Sequence, residues 1–329
     1  MNNVLPTVAD VIDAAVRLRG WVLDTPVLES EAINRRAGTR VLLKAECLQH
    51  AGSFKIRGAM NRLLQLAADE RKAGVVAFSS GNHAQAVALA ARWLDIPATI
   101  VMPADAPAVK LKRTRDYGAE LVLYDRERED REAIAARIAE QRGAALVPPF
   151  DHSHTIAGQG TLALELARAA RERRAAIEAL YAPCSGGGLI AGCALAIKAE
   201  WPTCAVYAVE PRGFEDTAAS LIAGERRTVP AGGSTLCDGL RAPTPGAITF
   251  AINRQQLAGA LAVDDAQIRD AMAVAAEELK VVVEPSGAAA LAAVLAEPPR
   301  AAKCVAVVLS GGNVDAELFA DVLRTRGAA

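Results

Sequence analysis

The chain has 329 residues, of which 52% are hydrophobic and only 4% aromatic, and its 37 basic and 38 acidic side chains leave a formal charge of -1. This length can bury one large core or two moderate ones, and we expect two domains. The balanced charge and the scarcity of aromatic rings exclude an extensive phosphate-backbone footprint and a base-stacking platform, so nucleic acid is not an expected partner.

Neither a membrane span nor a disulfide framework is expected. Charged residues interrupt every long apolar stretch before the roughly 18 to 20 residues that a span requires. The N-terminal segment MNNVLPTVAD has neither a basic leader nor an apolar core, which predicts no signal peptide and a cytoplasmic location. The six cysteines form no CxxC pair and no Cys/His cluster, which predicts free thiols rather than disulfides or structural zinc.

Short β-branched runs alternate with alanine-rich helical stretches along most of the chain. The first series pairs VVAFSS with NHAQAVALAARWL, ATIVM with APAVKLKRTRDYG, and AELVLY with REDREAIAARIAEQRG. The second series pairs ALYAPC with GLIAGCALAIKAEW and AVYAVE with FEDTAASLIAGE, and it ends in CVAVVLSGGN. Continuous apolar strands between amphipathic helices predict parallel sheets covered on both faces, and hence an α/β fold.

The proline-containing stretch LVPPFDHSHTIAGQG separates the two series. We therefore predict a small domain over residues 74–149, inserted into a large domain formed by residues 1–73 and 150–329. In open α/β sheets, ligands bind beyond the carboxyl ends of the strands. SSGNH, CSGGG and SGGN each follow a predicted strand, and we expect these turns to form a site between the two domains.

A lysine and an arginine lie within AGSFKIRGAM, residues 51–60, in a helix-like run whose other side chains are small or apolar. Because a buried ammonium is destabilised, a lysine in such a segment readily loses its proton or forms a covalent bond. Lys55, directly after Phe54, is therefore a candidate nucleophile. An ordinary helical lysine that extends toward solvent fits the same decapeptide.

Three consecutive glycines, Gly186 to Gly188, lie between a predicted strand and a predicted helix. Unhindered amides and the helix dipole favour an anion such as phosphate at this position. GGGLIA also fits the dinucleotide fingerprint G-x-G-x-x-A, with Glu210 placed to take a ribose hydroxyl. The loop therefore fits an NAD-dependent dehydrogenase, a monophosphate cofactor or a tight turn. Pyridoxal phosphate gives a role to more residues, because Lys55 would form the Schiff base and small polar side chains would contact the ring.

Five motifs, SFKIRGAMN, SSGNHAQAVALAA, IAGQGT, SGGGLIAG and LSGGNVD, occur in this order over nearly the whole chain. Together they resemble the fold-type II pyridoxal-phosphate enzymes of the threonine/serine dehydratase and serine racemase group. The resemblance implies a tryptophan synthase β-like fold, with two parallel-sheet, three-layer domains and the active site between them. The large, discontinuous domain would bind pyridoxal phosphate and the small domain would bind the substrate.

The resemblance also implies roles for individual residues. Lys55 would form the Schiff base, with Phe54 against the cofactor ring. Asn82 would contact the phenolic oxygen, and Ser310 would lie beside the pyridine nitrogen. The cofactor phosphate would be held by Ser185, Gly186, Gly187, Gly188 and Leu189. The substrate would be received by Ser79, Ser80, Gly81, Asn82 and His83.

The implied activity is deamination of L-threonine and L-serine by β-elimination of water, which gives 2-oxobutanoate or pyruvate plus ammonia. Lys55 would take the Cα proton as general base, and a neutral Ser310 hydroxyl would favour elimination by leaving the ring a weak electron sink. Ser80 matches the second base of the racemases, so serine racemase and 3-hydroxyaspartate dehydratase remain alternatives. Phe150 replaces an asparagine of animal serine racemases and favours a dehydratase-like pocket.

Two acids in VEPRGFED, Glu210 and Asp216, resemble the divalent-cation site of the same group, which a backbone carbonyl at Phe214 would complete. Two carboxylates and a carbonyl oxygen suit Mg²⁺ or Ca²⁺. Without the family, two acids six residues apart near a strand end would be interpreted as surface charges. The resemblance further implies a homodimer that acts on a small hydroxyamino acid.

Overall fold

A computed structural model describes residues 5–79, 81–106, 108–125, 127–230 and 233–326. The strands are β1 Val27–Leu28, β2 Arg40–Ala45, β3 Val75–Phe78, β4 Ala98–Pro103, β5 Glu120–Tyr124, β6 Ala145–Leu146, β7 Ala179–Pro183, β8 Ala205–Pro211, β9 Gly259–Val263 and β10 Cys304–Leu309. The α-helices are α1 Val8–Arg17, α2 Glu31–Ala37, α3 Lys55–Leu63, α4 Ala68–Ala73, α5 Asn82–Trp93, α6 Ala108–Asp116, α7 Arg131–Arg142, α8 Ser153–Glu172, α9 Gly188–Glu200, α10 Asp216–Ala223, α11 Ala247–Gln256, α12 Asp265–Val274, α13 Pro285–Ala296 and α14 Ala316–Arg326.

The strands form two sheets. The six-stranded sheet has the order β1-β2-β10-β7-β8-β9, and the four-stranded sheet has the order β5-β4-β3-β6. β1 pairs with β2 in the antiparallel sense, and the other strand pairs are parallel. The predicted α/β fold with parallel sheets is therefore confirmed. Strand order reverses between β7 and β10 and between β3 and β6, and such switch points open ligand-binding crevices at the carboxyl ends of the strands.

Both faces of the larger sheet are covered by helices. Along β10, Val305 and Val307 pack in a cluster with α12 and α13, whereas Ala306 and Val308 pack in a cluster with α8 and α9. All six side chains of β10 are buried. This two-sided burial explains why the strand is a continuous apolar run rather than an alternating one.

The smaller sheet shares its apolar core with segments outside residues 74–149. The cluster that contains Val75 and Ile100 also contains Leu18, Ile56 and Met60, from before the predicted boundary. Helix α3 therefore contributes side chains to the core of the smaller sheet. The division into residues 1–73 with 150–329 and residues 74–149 stays a prediction.

Helix α3 is anchored by a buried ion pair. Arg57 donates from Nε and Nη2 to the two carboxylate oxygens of Glu46, at 2.8 Å each, and from Nη1 to Glu165 at 2.6 Å. The side chains of Arg57 and Glu46 are completely buried. Buried charges persist where they are paired and hydrogen-bonded. This pair fixes the helix that begins at Lys55.

Glycines bring α3, α8 and α9 into close contact. A Cβ atom at Gly158 would lie 2.6 Å from the Arg57 carbonyl oxygen and 2.8 Å from the Gly58 Cα. A Cβ atom at Gly160 would lie 2.6 Å from the Gly192 carbonyl oxygen. Because only glycine allows these approaches, the IAGQG segment of α8 is explained by backbone packing against two helices.

Within the described ranges, none of the helices combines the length and the apolar character that crossing a bilayer requires. All six cysteines are free and buried, as the sequence predicts. Burial raises the pKa of the Cys47 thiol to about 12, so this side chain remains protonated and unreactive.

Candidate functional site

A cavity of about 260 Å³ lies at the carboxyl ends of both sheets. Twelve predicted site residues line it: Phe54, Lys55, Ser79, Gly81, Asn82, His83, Ser185, Gly186, Gly187, Gly188, Leu189 and Ser310. The structure therefore brings the segments after β3, β7 and β10 together with the start of α3. Ser80 lies outside the described residues. The predicted cation ligands do not line this cavity and form a separate cluster.

Lys55 is a half-buried amine at the first position of α3. Its Nζ donates to the Pro149 carbonyl oxygen at 2.7 Å and lies 5.2 Å from the centroid of the Phe54 ring. Burial lowers the pKa of Lys55 from 10.5 to about 8. Near neutral pH a larger fraction of this amine is then neutral than in an exposed lysine, and the neutral amine is the form that a nucleophile or a general base requires.

The segment that carries Lys55 is tied to the end of β10. The Phe54 N–H donates to the Ser310 carbonyl oxygen at 3.1 Å, and Ser53 forms an isolated β-bridge with Gly311. Ser310 is 5% exposed and lines the cavity, so its hydroxyl lies on the same wall as Lys55.

The glycine loop between β7 and α9 presents backbone N–H groups to the cavity. The Gly186 carbonyl oxygen accepts from Thr249 Oγ1 at 2.6 Å, and the Gly187 carbonyl oxygen accepts from Asn253 Nδ2 at 3.3 Å. The amides of residues 186–189 have no hydrogen-bond acceptor within the described part of the chain. Free amides at a helix N-terminus are suited to a phosphate group.

This loop has no room for a Cβ atom at Gly186 or Gly187. Gly187 has φ 91°, and a Cβ atom there would lie 2.7 Å from Asn253 Nδ2. A Cβ atom at Gly186 would lie 2.4 Å from ring atoms of Phe150. The Ser185 hydroxyl accepts the Ala242 N–H at 3.1 Å and keeps its own proton for a ligand. These residues fit the phosphate of pyridoxal phosphate.

The turn after β3 supplies donors, but His83 is not one of them. His83 Nε2 lies 2.8 Å from the Val147 carbonyl oxygen, which can only accept, so Nε2 carries the proton. Burial, reinforced by the charge of Lys55, lowers the pKa of His83 to about 3. Its Nδ1 has no partner within the described residues and is an acceptor in the neutral ring. A carboxylate is better served in this turn by Ser79 and Asn82.

Glu284, which is not predicted from the sequence, also lines the cavity. It is 2% exposed, and its Oε1 accepts from Asn82 Nδ2 at 2.5 Å. Burial raises the pKa of Glu284 to about 7, and the charge of Asp238 adds to the effect. Its isolated position in the apolar run VVVEPSG was the available sequence signal for a buried acid.

Three further cations line the cavity and are likewise not predicted: Lys110, Arg131 and Arg241. Lys110 forms an ion pair with Asp238. The Arg131 guanidinium lies 5.6 Å from the centroid of the Phe78 ring, and it makes no ion pair with a carboxylate in the described ranges. Arg131 is therefore available to an anionic ligand.

Glu210 and Asp216 lie together at the end of β8 and the start of α10, and both are completely buried. The Glu210 carboxylate accepts the N–H groups of Thr217 and Ala218, at 2.8 and 2.9 Å. Glu210 is also completely buried and does not line the cavity, which argues against the dinucleotide interpretation. Burial and the charge of Glu210 raise the pKa of Asp216 to about 9.

These carboxylates fit a divalent cation. Neither oxygen of Asp216 has a hydrogen-bond partner within the described residues. No described N–H donates to the Phe214 carbonyl oxygen. A third histidine, cysteine or acid does not join them in the described ranges, so backbone oxygens and water would complete the ligand set. The cation site remains a prediction.

Comparison with known proteins agrees with this chemistry. A family described as "Pyridoxal-phosphate dependent enzyme" matches residues 18–311. The L-threo-3-hydroxyaspartate ammonia-lyase of Saccharomyces cerevisiae is 43% identical over 321 residues, which cover 97% of each chain. Its namesake from a Pseudomonas species is 46% identical over 319 residues, covering 96% of this chain and 98% of the relative. The solved structure of maize serine racemase matches with a TM-score of 0.91 and 39% identity, covering 99% of both chains. The chain therefore belongs to the fold-type II family of pyridoxal-phosphate-dependent enzymes.

Proposed function

We propose that the protein is an ammonia-lyase that converts L-threo-3-hydroxyaspartate to oxaloacetate and ammonia. The observation that carries the proposal is Arg131, whose guanidinium lines the cavity without a carboxylate partner in the described ranges. The second carboxylate of 3-hydroxyaspartate would supply that partner, and neither L-threonine nor L-serine has one. The activity named for both ammonia-lyase relatives supports the same substrate. This substrate, an alternative in the sequence analysis, replaces L-threonine and L-serine as the preferred one.

Different cavity residues would contact different parts of the cofactor. Lys55 would bond to its carbonyl carbon, and residues 185–189 would hold its phosphate with amides and the Ser185 hydroxyl. Phe54 would lie against the ring, Ser310 beside the ring nitrogen and Asn82 on the phenolic oxygen. When bound, pyridoxal phosphate supplies an electron-withdrawing ring that acidifies the Cα proton of an attached amino acid.

Proton transfer falls to Lys55. Once the substrate amine has replaced it on the carbonyl carbon, the Lys55 amine would be free, and its lowered pKa of about 8 favours the neutral form that accepts the Cα proton. The hydroxyl on Cβ then leaves as water, and hydrolysis returns one water and releases ammonia. One substrate therefore yields one oxaloacetate and one ammonia. Ser79, Gly81 and the backbone N–H of Asn82 would receive the α-carboxylate while Arg131 binds the β-carboxylate.

Serine racemisation is a second candidate function, favoured by the close match to the maize serine racemase structure. Ser80 would be the second base, on the face opposite Lys55. Elimination from L-threonine and L-serine is expected as a weaker activity of the same cavity, because the Lys55 and phosphate contacts do not depend on the β-substituent.

The remaining features of the proposed enzyme come from the sequence and the family. We expect Glu210, Asp216 and the Phe214 carbonyl to bind Mg²⁺ or Ca²⁺ as a structural cation. We also expect a homodimer that acts in the cytoplasm. The buried Asp216 side chain has no hydrogen-bond partner within the described residues, which supports the cation, because a divalent charge would stabilise its ionised form.

A substrate panel tests the function. The cofactor-loaded protein is incubated with L-threo-3-hydroxyaspartate, L-threonine, L-serine and D-serine, and oxo acid and enantiomer composition are followed together. The highest kcat/KM is expected for 3-hydroxyaspartate, with D-serine a minor product from L-serine. A higher kcat/KM for L-threonine or L-serine would overturn the proposed substrate, and D-serine accumulating faster than pyruvate would favour the racemase.

The Arg131→Gln variant tests the residue that carries the proposal. Loss of a charge-assisted hydrogen bond costs about 1.5 to 3 kcal/mol, so KM for 3-hydroxyaspartate should rise about 10- to 150-fold. The kinetics with L-serine should change little. Arg137→Gln is the matched control, because Arg137 is exposed on the same helix. An equal loss toward both substrates would contradict carboxylate recognition by Arg131.

A further inference from the structure

We propose that Glu284 and Asn313 are positioning residues that hold the Asn82 amide in one orientation, with its NH₂ group on the cavity side. The Asn82 N–H, rather than its carbonyl oxygen, is then the group available to the phenolic oxygen of the cofactor. This inference rests on the cofactor-binding part of the proposed function, and it does not depend on the substrate.

Asn82 is held from both ends. Its Nδ2 donates to Glu284 Oε1 at 2.5 Å, and its Oδ1 accepts from Asn313 Nδ2 at 2.9 Å. Glu284 lines the cavity, whereas Asn313 is not among the lining residues. The nitrogen end of the Asn82 amide therefore faces the cavity wall formed by Glu284, and the oxygen end faces away.

The orientation is set by groups whose chemistry is unambiguous. An arginine only donates, so the 3.0 Å contact from Arg113 Nη1 identifies the atom it meets on Asn313 as Oδ1. Asn313 Nδ2 then donates to the Ala51 carbonyl oxygen at 2.7 Å as well as to Asn82 Oδ1. A flipped Asn82 amide would oppose its oxygen to the Glu284 carboxylate and its NH₂ to the NH₂ of Asn313.

Within the described ranges, Asn82 is the hydrogen-bond partner of the Glu284 side chain, and no structural role competes with this contact. Glu284 occupies the N-cap position of α13, but its side chain makes no capping hydrogen bond. Gly311 makes room for the contact, because a Cβ atom there would lie 2.1 Å from Glu284 Oε1 and 3.2 Å from Asn82 Nδ2. The first glycine of SGGN thus allows a carboxylate from α13 to reach the first residue of α5.

A positioned N–H favours the deprotonated form of the oxygen it contacts. The contacts of Glu284 and Asn313 with the Asn82 amide form a clamp. Loss of the clamp should therefore shift the bound cofactor from its long-wavelength, yellow form toward the form that absorbs in the near ultraviolet. This shift is visible without substrate, so it separates the clamp from catalysis. If the unmodified enzyme turned over no hydroxyamino acid but the variants still showed the spectral shift, the clamp would stand and the proposed function would fail.

The experiment compares absorbance spectra of the loaded enzyme at fixed pH for Glu284→Ala, Glu284→Gln and the unmodified chain. The ratio of long-wavelength to near-ultraviolet absorbance should fall at least about fivefold in Glu284→Ala, the size expected for one lost hydrogen bond. Glu284→Gln keeps an acceptor oxygen and should retain most of the native ratio. Glu297→Ala is the matched control, because Glu297 is exposed at the other end of α13.

Asn313→Ala provides an independent test, because it removes the donor on the opposite end of the Asn82 amide and should shift the spectrum in the same direction. An unchanged ratio in Glu284→Ala would overturn the clamp, and so would an equal shift in the Glu297 control. Failure of both alanine variants to bind cofactor would also overturn it, because positioning residues leave Lys55 and the phosphate loop intact.

Discussion

The ring of Phe150 lies directly against the backbone of Gly186. A Cβ atom added to Gly186 would come within 2.4 Å of three ring carbons. This contact places an aromatic side chain from the segment after β6 against the loop that follows β7. Segments that follow a strand of each sheet therefore meet at the proposed phosphate site.

We expect Gly186→Ala to weaken pyridoxal phosphate binding. Overpacking of this kind costs about 1 to 3 kcal/mol, which corresponds to a dissociation constant roughly 5- to 150-fold higher if the loop moves to relieve the clash. Absorbance titration of the cofactor-free protein measures the change. Gly259→Ala is the control, since a Cβ atom there would meet Tyr207 at an ordinary 3.7 Å. Addition of Phe150→Ala should recover part of the loss, and no recovery would rule out the ring as its cause.

The Arg57–Glu46 pair predicts a large loss of stability on removal of one charge. Glu46→Gln leaves a buried guanidinium partly uncompensated and should lower the free energy of unfolding by about 3 to 5 kcal/mol. Urea unfolding gives the value. Glu31→Gln breaks an exposed i,i+4 pair with Arg35 and should change it by no more than about 0.5 kcal/mol. Similar effects of the two changes would contradict the buried pair.

The protein should be yellow as isolated, and borohydride should attach the cofactor irreversibly to Lys55. The lowered pKa of Lys55, about 8, favours the neutral, nucleophilic form of its amine. Lys44 is a contrasting case, because its buried ammonium is held at 2.6 Å by Glu165. Peptide mass spectrometry after reduction locates the adduct, and attachment at Lys44 or Lys110 would overturn the assignment of Lys55.

The buried acids Glu210 and Asp216 predict that the stability of the metal-free protein depends on pH. The pKa of Asp216 is raised from 3.8 to about 9 in the folded state. Its contribution to stability is therefore fully present below about pH 4 and is lost as the pH rises toward 9. Thermal unfolding across this range should show the loss, and Asp216→Asn should flatten the profile.

Mg²⁺ or Ca²⁺ should reverse the loss at high pH. Binding to the folded form alone stabilises it by about 2.7 kcal/mol when the free cation is at 100 times its dissociation constant. The Asp216→Asn variant serves as the control and should respond less. Indifference of the unmodified, metal-free protein to both cations would contradict the site.

The sequence predicts β3, β4, β5, β7, β8 and β10, each an apolar run next to a helical stretch or a turn motif. It misses β2, although five of its six residues are buried, because Lys44 interrupts the apolar run. β1 and β6 contain two residues each, too few for any periodicity. β9 lies at the sheet edge with four of its five residues only half-buried, so GALAV lacks the continuous burial of a central strand. Parallel topology follows from the helix between successive strands, whereas strand order depends on contacts that no local window contains.

Much of the candidate site could be anticipated because its residues follow strand ends in recurring motifs. Arg131 and Lys110 could not, because they reach the cavity from α7 and α6, where a charged residue is ordinarily solvent-exposed. Glu284, at the N-cap of α13, left a signal as a lone acid in an apolar run, but its partner Asn82 lies 202 residues away in sequence. The neutrality of His83 likewise depends on its burial and on the charge of Lys55. Its tautomer depends on the Val147 carbonyl, 64 residues away in sequence. Motifs thus identify the chemistry of the cavity, and tertiary contacts decide the charge each group carries.

The glycine contacts that join α3 to α8 and α8 to α9 have a mechanical consequence. Lys55 starts α3 and the phosphate loop starts α9, so the span between the two cofactor attachment points is set by backbone packing through α8 rather than by flexible side chains. The distance between Lys55 and the phosphate loop would therefore select a cofactor of matching length. Motion of the cavity walls would change how easily substrate enters, whereas this distance would change only if α3, α8 and α9 separated.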